Sequence, residues 1–168
     1  MPRNLEIKVP VPSFHAALLA CRKIKARKVG TLRQTDTYFN VRKGRLKLRE
    51  IDGKKFELIY YKRANRNGSR YSNYTVVSMN EPTAIRSVCT SLFGVRVIVR
   101  KNRLLYLHKN ARIHLDTVIG LGKFIEFEVL VKAGRQQARQ LMESLIREFG
   151  VGRRSGIPGS YEDLMSAK

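Results

Sequence analysis

Polar and apolar residues alternate along much of this chain, and alternation with a period of two is typical of half-buried β-strands. The clearest case is Arg45–Arg49, where three bases share one face and two leucines share the other. The same period predicts strands at residues 5–9, 34–40, 56–63, 70–78, 112–118 and 123–131. A further hairpin is predicted from Arg96–Arg103 and Leu104–His108, with its turn around Lys101-Asn102.

Helical spacing of apolar residues interrupts this pattern in three places. It predicts a helix from Phe14 to about Lys28, a short one over Pro82–Phe93 and an amphipathic one over Gln136–Phe149. Asn65–Ser69 is predicted to be a polar loop, and a glycine-rich tail follows Gly150. About eight antiparallel strands with helices at intervals predict an α+β fold.

Many of these strands carry charged residues on one face and apolar residues on the other. A closed antiparallel β-barrel of about eight strands explains that distribution, because charges can line its interior while apolar faces pack under flanking helices. Buried charged side chains need partners, so such an interior is expected to hold a ligand, a metal or water that pairs with them. At 168 residues the chain is expected to form one domain over residues 1–168.

The net charge of +21, from 34 Lys and Arg against 13 Asp and Glu, predicts an anionic partner. Nucleic acid, a membrane surface, polyphosphate or a nucleotide would each be attracted to it. The two cysteines, Cys21 and Cys89, lack metal-ligand spacing, so a reduced, cytoplasmic protein is expected. Apolar runs of membrane-spanning length and a signal-peptide core are absent from the sequence.

The segment Asp116–Glu128 combines two strands, a Gly-x-Gly turn and three acids. Glu126 and Glu128 are two residues apart, so they point to the same face of a strand. Adjacent carboxylates repel each other unless a cation lies between them, and hard oxygen ligands suit Mg²⁺ or Mn²⁺. A solvent-facing strand would also explain two such acids, but Asp116 and Glu6, on other alternating strands, favour a site.

Rows of bases provide the complementary chemistry. Arg45, Lys47 and Arg49 share one strand face and would clamp the oxygens of an extended phosphate. Lys62 with Arg63, and Lys101 with Arg103, repeat the arrangement. An exposed basic face explains each row singly, whereas several rows in one small sheet favour a binding site. The three histidines, His15, His108 and His114, are scattered and are interpreted as structural.

Five segments, in this order along the chain, resemble the CYTH superfamily, also called the triphosphate tunnel metalloenzymes, and among them the class IV adenylate cyclase-like proteins. They are Asn4–Lys8, Thr35–Asn40, Arg45–Arg49, Asp116–Glu128 and Ser160–Met165. The resemblance implies an eight-stranded tunnel that holds a triphosphate between bases and metal-binding carboxylates. It implies Mg²⁺ or Mn²⁺ as cofactor, a nucleoside triphosphate, inorganic triphosphate or polyphosphate as ligand, and a homodimer as the expected assembly.

The resemblance also implies roles for individual residues. Metal ligands are expected at Glu6, Glu126 and Glu128, and the catalytic set adds Lys8 and Asp116 to these three. Phosphate contacts are expected at Lys8, Lys47, Arg49, Lys62, Lys101 and Arg103, with Arg112 added by its alternation with Asp116 and Arg45 by the row it shares with Lys47.

One position departs from the family pattern Glu-x-Glu-x-Lys, because this chain begins Asn4-Leu-Glu6-Ile-Lys8. An asparagine can ligate a metal through its carbonyl oxygen but brings no charge. Residues that would recognise a nucleotide base have no readable signature, so two enzymatic activities stay open: cyclisation of ATP to cyclic AMP with release of pyrophosphate, and hydrolysis of a triphosphate. The alternatives are a tunnel that binds nucleotide or polyphosphate without turnover, and a basic protein that binds nucleic acid.

Overall fold

The structure is a computed structural model, and it describes residues 2–64, 67–152 and 155–167. The loop predicted over Asn65–Ser69 lies partly outside these residues. The chain forms eight strands among the described residues: β1 Arg3–Val11, β2 Arg27–Phe39, β3 Arg45–Ile51, β4 Lys55–Arg63, β5 Arg70–Met79, β6 Val95–His108, β7 Ala111–Val118 and β8 Gly122–Leu130. The helices are α1 His15–Lys23, α2 Thr83–Phe93, α3 Arg135–Glu148 and α4 Tyr161–Ser166.

The strands close into an antiparallel barrel in the order β1-β5-β4-β3-β2-β6-β7-β8, with β8 paired back to β1. The closed barrel with flanking helices that the alternation predicted, and the eight strands that the family resemblance implied, are therefore confirmed. Because the sheet is closed, every strand is paired on both edges, and alternate side chains of each strand point into the lumen.

Two of the three apolar clusters formed by the described residues lie outside the barrel wall, between strands and helices. The third includes Tyr38, Ile59, Tyr61 and Tyr161, which line the lumen. The outer faces of β1, β7 and β8 pack against α1 and α3 through residues such as Ile7, Ile113, Phe127 and Met142. A smaller cluster around Phe39, Leu48 and Cys89 packs α2 against β2 and β3. These strands carry their apolar residues outward, so their inward positions are free for polar side chains.

Two predictions of secondary structure were wrong, one of a hairpin and one of the end of a helix. The hairpin around Lys101-Asn102 does not form, because β6 is one continuous strand that pairs with β2 over nearly its full length. The helix predicted to reach about Lys28 ends at Lys23, and β2 begins at Arg27. Lys25 between them has a left-handed φ of 54°, a conformation that stops a helix and turns the chain. None of the helices in the described part of the chain has the length and apolar character needed to cross a membrane.

Candidate functional site

The barrel encloses a cavity of about 330 Å³, within the size range of small-molecule sites. Its lining is strongly charged. The ionisable side chains that line it, besides tyrosines, are Glu6, Lys8, Lys47, Arg49, Lys55, Glu57, Arg63, Lys101, Arg103, Arg112, His114, Glu126 and Glu128. Each belongs to the inward-facing set of its strand, so the two-residue period of the sequence places them in one lumen.

One wall of the cavity is organised by a single buried carboxylate. Asp36 on β2 accepts hydrogen bonds from Lys47 and Lys101, both at 2.9 Å, and from Arg49 at 2.7 and 2.8 Å. Three bases thus share one acid, which leaves an excess of positive charge facing the lumen. Burial alone would raise the pKa of Asp36, but Arg49, Lys101 and Lys47 hold it well below its usual range.

Burial has the opposite effect on the two lysines of this group. It lowers the pKa of Lys47 to about 7, with a further contribution from the charge of Arg49. It lowers the pKa of Lys101 to about 8, against the opposing effect of Asp36. Both lysines therefore titrate near neutral pH, and an anion placed beside them would favour their charged forms.

The adjoining strands, β7 and β8, carry acids. Strand pairing sets His114 of β7 beside Glu126 of β8, and Glu128 is two residues further on the same face. In the described part of the chain these three form the one group whose ligand atoms all lie within 4.8 Å of one another. The imidazole Nδ1 of His114 is 3.1 Å from Oε2 of Glu126. Burial and the charge of Arg103 lower the pKa of His114, which keeps the ring neutral, as a metal ligand must be.

This donor set fits a divalent metal ion. One imidazole nitrogen and two carboxylates are a common ligand combination for such ions. Nearby, the Asn4 carbonyl Oδ1 is buried, with the residue 4% exposed, and has no hydrogen-bond partner among the described residues. Lys8 at 3.1 Å and Arg103 at 2.9 Å also contact Glu126, so a bound metal would share this carboxylate with two bases.

The C-terminal segment closes one end of the lumen. The Tyr161 hydroxyl donates a 2.7 Å hydrogen bond to Asp116, and its ring centroid lies 3.8 Å from the Lys8 ammonium. Arg45 of β3 binds the acids of α4, at 3.3 Å to Glu162 and 2.7 Å to Asp163. Ser160 and Tyr161 of this segment therefore form part of the cavity lining at that end.

The structure brings most of the predicted site residues into the lumen. Glu126, Glu128, Lys8, Lys47, Arg49, Lys101, Arg103 and Arg112 all line the cavity. Glu6 lines it too, but its carboxylate is held by Arg63 and lies 3.6 Å from Arg70, outside the His114–Glu128 group. Whether these residues bind phosphate or metal stays a prediction.

Three predicted site residues are placed differently from our expectation. Lys62 is exposed on the outer face of β4, so the base of this pair that reaches the lumen is Arg63. Arg45 is anchored to α4 and does not line the cavity. Asp116 is fully buried behind the cavity wall, where it holds Arg103 through two 2.7 Å hydrogen bonds and so positions that base.

Sequence reasoning missed Asp36, Arg70 and His114, and it named Arg63 in a row of bases but assigned the phosphate contact to Lys62. The alternation of Arg112 with Asp116 already pointed to His114, which occupies the position between them on the same face. Arg70 is 1% exposed and donates to the carbonyls of Ile157 and Gly159, so it also fixes the C-terminal segment. Asp36 is recognisable as an organising acid only when β3 and β6 are known to flank β2.

A closed eight-stranded antiparallel barrel with bases and acids lining its lumen is the architecture of the triphosphate tunnel fold. The CYTH domain matches residues 2–161, and the chain belongs to the CYTH family. A search of curated proteins found no match.

Solved structures share this fold at low sequence identity. The PH1012 protein of Pyrococcus horikoshii is 22% identical with a TM-score of 0.84, over 96% of this chain and 98% of that one. A candidate adenylate cyclase of Vibrio parahaemolyticus is 17% identical with a TM-score of 0.78, over 97% of each chain. HpAC1 of Hippeastrum, a candidate adenylyl cyclase with a dominant triphosphatase activity, is 17% identical with a TM-score of 0.72, over 100% of this chain and 97% of that one.

Proposed function

We propose that this protein is a metal-dependent enzyme that binds a triphosphate inside its barrel and either cyclises or hydrolyses it. The observation that carries the proposal is the mixed charge of the lumen. The bases around Asp36 and a group of side chains that could hold a metal ion line one cavity. Phosphoryl transfer requires both, because the phosphate oxygens must be held in place and their charge neutralised.

The bases would hold the phosphate chain along the tunnel. Lys47, Lys101 and Arg49 already point to one place through their shared contact with Asp36. Their positions are therefore preorganised, and a triphosphate gains charge-assisted hydrogen bonds without first ordering flexible side chains. Each such bond contributes about 1.5–3 kcal/mol.

The metal would be held by His114, Glu126 and Glu128. When bound, it supplies charge neutralisation at phosphate oxygens and alignment of the attacking hydroxyl or water. Since Mg²⁺ prefers oxygen ligands and Mn²⁺ accepts nitrogen more readily, the imidazole of His114 favours Mn²⁺. The neutral state of that ring, maintained by burial and Arg103, leaves a lone pair free for coordination.

A product assay tests this function. Purified protein is incubated with ATP or tripolyphosphate and Mn²⁺ or Mg²⁺, and the products are separated. Cyclic AMP with pyrophosphate identifies a cyclase, and orthophosphate identifies a hydrolase. Glu126→Gln should abolish turnover, whereas Glu143→Gln, a control on the exposed face of α3, should retain it. Absence of turnover with both substrates and both metals would refute the enzymatic proposal.

A tunnel that binds triphosphate without turnover is the second candidate. Two observations favour it: Asn4 stands where the family carries a carboxylate, and the lumen acids Glu6 and Glu126 are already paired with bases. Calorimetric binding of ATP without product formation would support this alternative.

A further inference from the structure

The outer surface around the end of α2 carries a cluster of exposed apolar side chains, called the apolar patch below. Ten large apolar side chains are exposed in the described part of the chain, and five of them fall between residues 88 and 98. They are Val88 at 51%, Leu92 at 69%, Phe93 at 39%, Val95 at 43% and Ile98 at 38% exposure. Exposed apolar residues are ordinarily scattered singly, so a cluster of five indicates a surface that contacts a partner.

The side chains of the apolar patch are neighbours in space. Val88 and Leu92 are one turn apart on α2 and share a face of the helix. The helix packs on Phe39 of β2, and Phe39 lies opposite Val95 in the pairing of β2 with β6. Ile98 follows on the same stretch of β6. The apolar patch is therefore one surface, formed by α2 and the first residues of β6.

Unpaired bases lie around the apolar patch. Arg42 and Lys43 are exposed in the turn between β2 and β3. The N–H of Asn40 donates a 3.2 Å hydrogen bond to the Gly94 carbonyl, which holds this turn against the end of α2. Arg100 is exposed further along β6. These three bases make no ion pair with a described residue, so their charges are available to a partner.

The acids that contact this region are already paired with bases. Glu50 lies 3.6 Å from Arg86, and Glu162, which is buried, lies 3.3 Å from Arg96. Residues 82–115, which include the whole apolar patch, contain no Asp or Glu. The surface is therefore apolar at its centre and cationic at its rim.

This combination fits the surface of an anionic membrane. Aliphatic and phenylalanine side chains enter the boundary between headgroups and acyl chains, while bases bind the headgroup phosphates. A second copy of the chain would bring the same cationic rim and a net charge of +21 against this one, so like charges oppose self-association through the patch. A nucleic acid would supply phosphates to the bases but no aliphatic surface to the patch.

We propose that the protein docks on membranes containing anionic lipids, with Leu92 and Phe93 inserted between the headgroups and Arg42, Lys43 and Arg100 against their phosphates. The net charge brings the protein to such a surface, and the apolar patch selects the face that touches it. This docking is independent of the proposed triphosphate site, because α2 packs on the outer face of the barrel.

A single introduced tryptophan tests which face docks, since the sequence contains none. Leu92→Trp keeps the patch apolar, and its fluorescence emission should shift to shorter wavelength when vesicles of phosphatidylglycerol and phosphatidylcholine are added. Leu19→Trp is the matched control, because Leu19 is 51% exposed on α1, which also ends in bases but packs on the far side of the barrel against β1 and β8. Its emission should not shift, and vesicles of phosphatidylcholine alone should shift neither variant.

Sedimentation with the same vesicles measures the affinity. The double variant Leu92→Ser with Phe93→Ser should bind anionic vesicles about tenfold more weakly or worse, whereas Leu19→Ser should bind unchanged. Thermal denaturation verifies that each variant is folded.

Four results would overturn the proposal. Equal shifts at both tryptophans, or unchanged vesicle binding by the double serine variant, would mean adsorption by net charge alone. Failure of the unmodified protein to bind anionic vesicles would exclude the membrane as partner. A dimer in sedimentation velocity without vesicles that the double serine variant dissociates would assign the apolar patch to a second copy of the chain.

Discussion

Binding of a triphosphate should draw protons into the tunnel, because Lys47 and Lys101 are held partly neutral in the free protein. Burial lowers their pKa values to about 7 and about 8. A polyanion beside them stabilises the ammonium form and raises both pKa values. Binding of a triphosphate therefore takes up protons, and the affinity for the triphosphate falls as the pH rises through 7 and 8.

The size of the effect follows from the two pKa values. At pH 8 the free protein lacks about 0.9 of a proton at Lys47 and about 0.5 at Lys101, so binding should take up about 1.4 protons. By linkage, the binding constant should fall about 25-fold between pH 7.5 and 8.5. In Lys47→Met only Lys101 is left to take up a proton, so the uptake on binding should be about 0.5 of a proton. The binding constant should then fall only about threefold over the same pH range.

Titration calorimetry in two buffers of different ionisation enthalpy measures the number of protons directly. ATP is titrated at pH 8 without metal, so that turnover does not contribute. Lys62→Met is the matched control, because this lysine is exposed on the outer face of β4 and should leave the uptake unchanged. Uptake near zero in the unmodified protein, or the same uptake in Lys47→Met, would refute the assignment of these lysines as the proton acceptors.

Two further changes test the placement of the lumen residues. Arg63→Met should weaken ATP binding by about tenfold or more, because a charge-assisted hydrogen bond contributes about 1.5–3 kcal/mol. Lys62→Met should leave ATP binding unchanged. Equal losses of affinity for the two variants in a fluorescence titration would contradict the lumen placement of Arg63. Asn4→Glu should lower the metal concentration needed for half-maximal turnover, because it adds a carboxylate on the lumen face of β1, whose partner strand β8 carries Glu126 and Glu128. An unchanged or increased metal requirement in activity curves would mean that Asn4 lies apart from the metal site.

The barrel was predictable from sequence because period-two alternation determines both the strands and the face each side chain occupies. In β3 the pattern is unambiguous, since Lys47 and Arg49 alternate with Leu46 and Leu48. In β4 it is ambiguous: both faces carry apolar residues, and the neighbouring bases Lys62 and Arg63 lie on opposite faces. Which of them points inward depends on pairing with β3 and β5, which the local pattern does not contain.

The false hairpin in β6 has a similar origin. Lys101-Asn102 has the composition of a turn, but inward positions continue regularly through Lys101, Arg103 and Leu105. The long strand is stabilised by its partner β2, which pairs with it over nearly its full length. Long-range pairing of this kind overrides a two-residue turn preference, because each additional residue pair adds hydrogen bonds and side-chain contacts.

Acids in and behind the cavity wall hold the bases in place, which explains how so basic an interior is stable before a ligand binds. Buried bases are costly unless they are paired. Asp36 pairs with three of them, Asp116 fixes Arg103, and Glu6 holds Arg63. These carboxylates keep the bases in position but cannot neutralise them all. The remaining positive charge is what a triphosphate would satisfy, so the same arrangement that stabilises the empty barrel also prepares it to bind a polyanion.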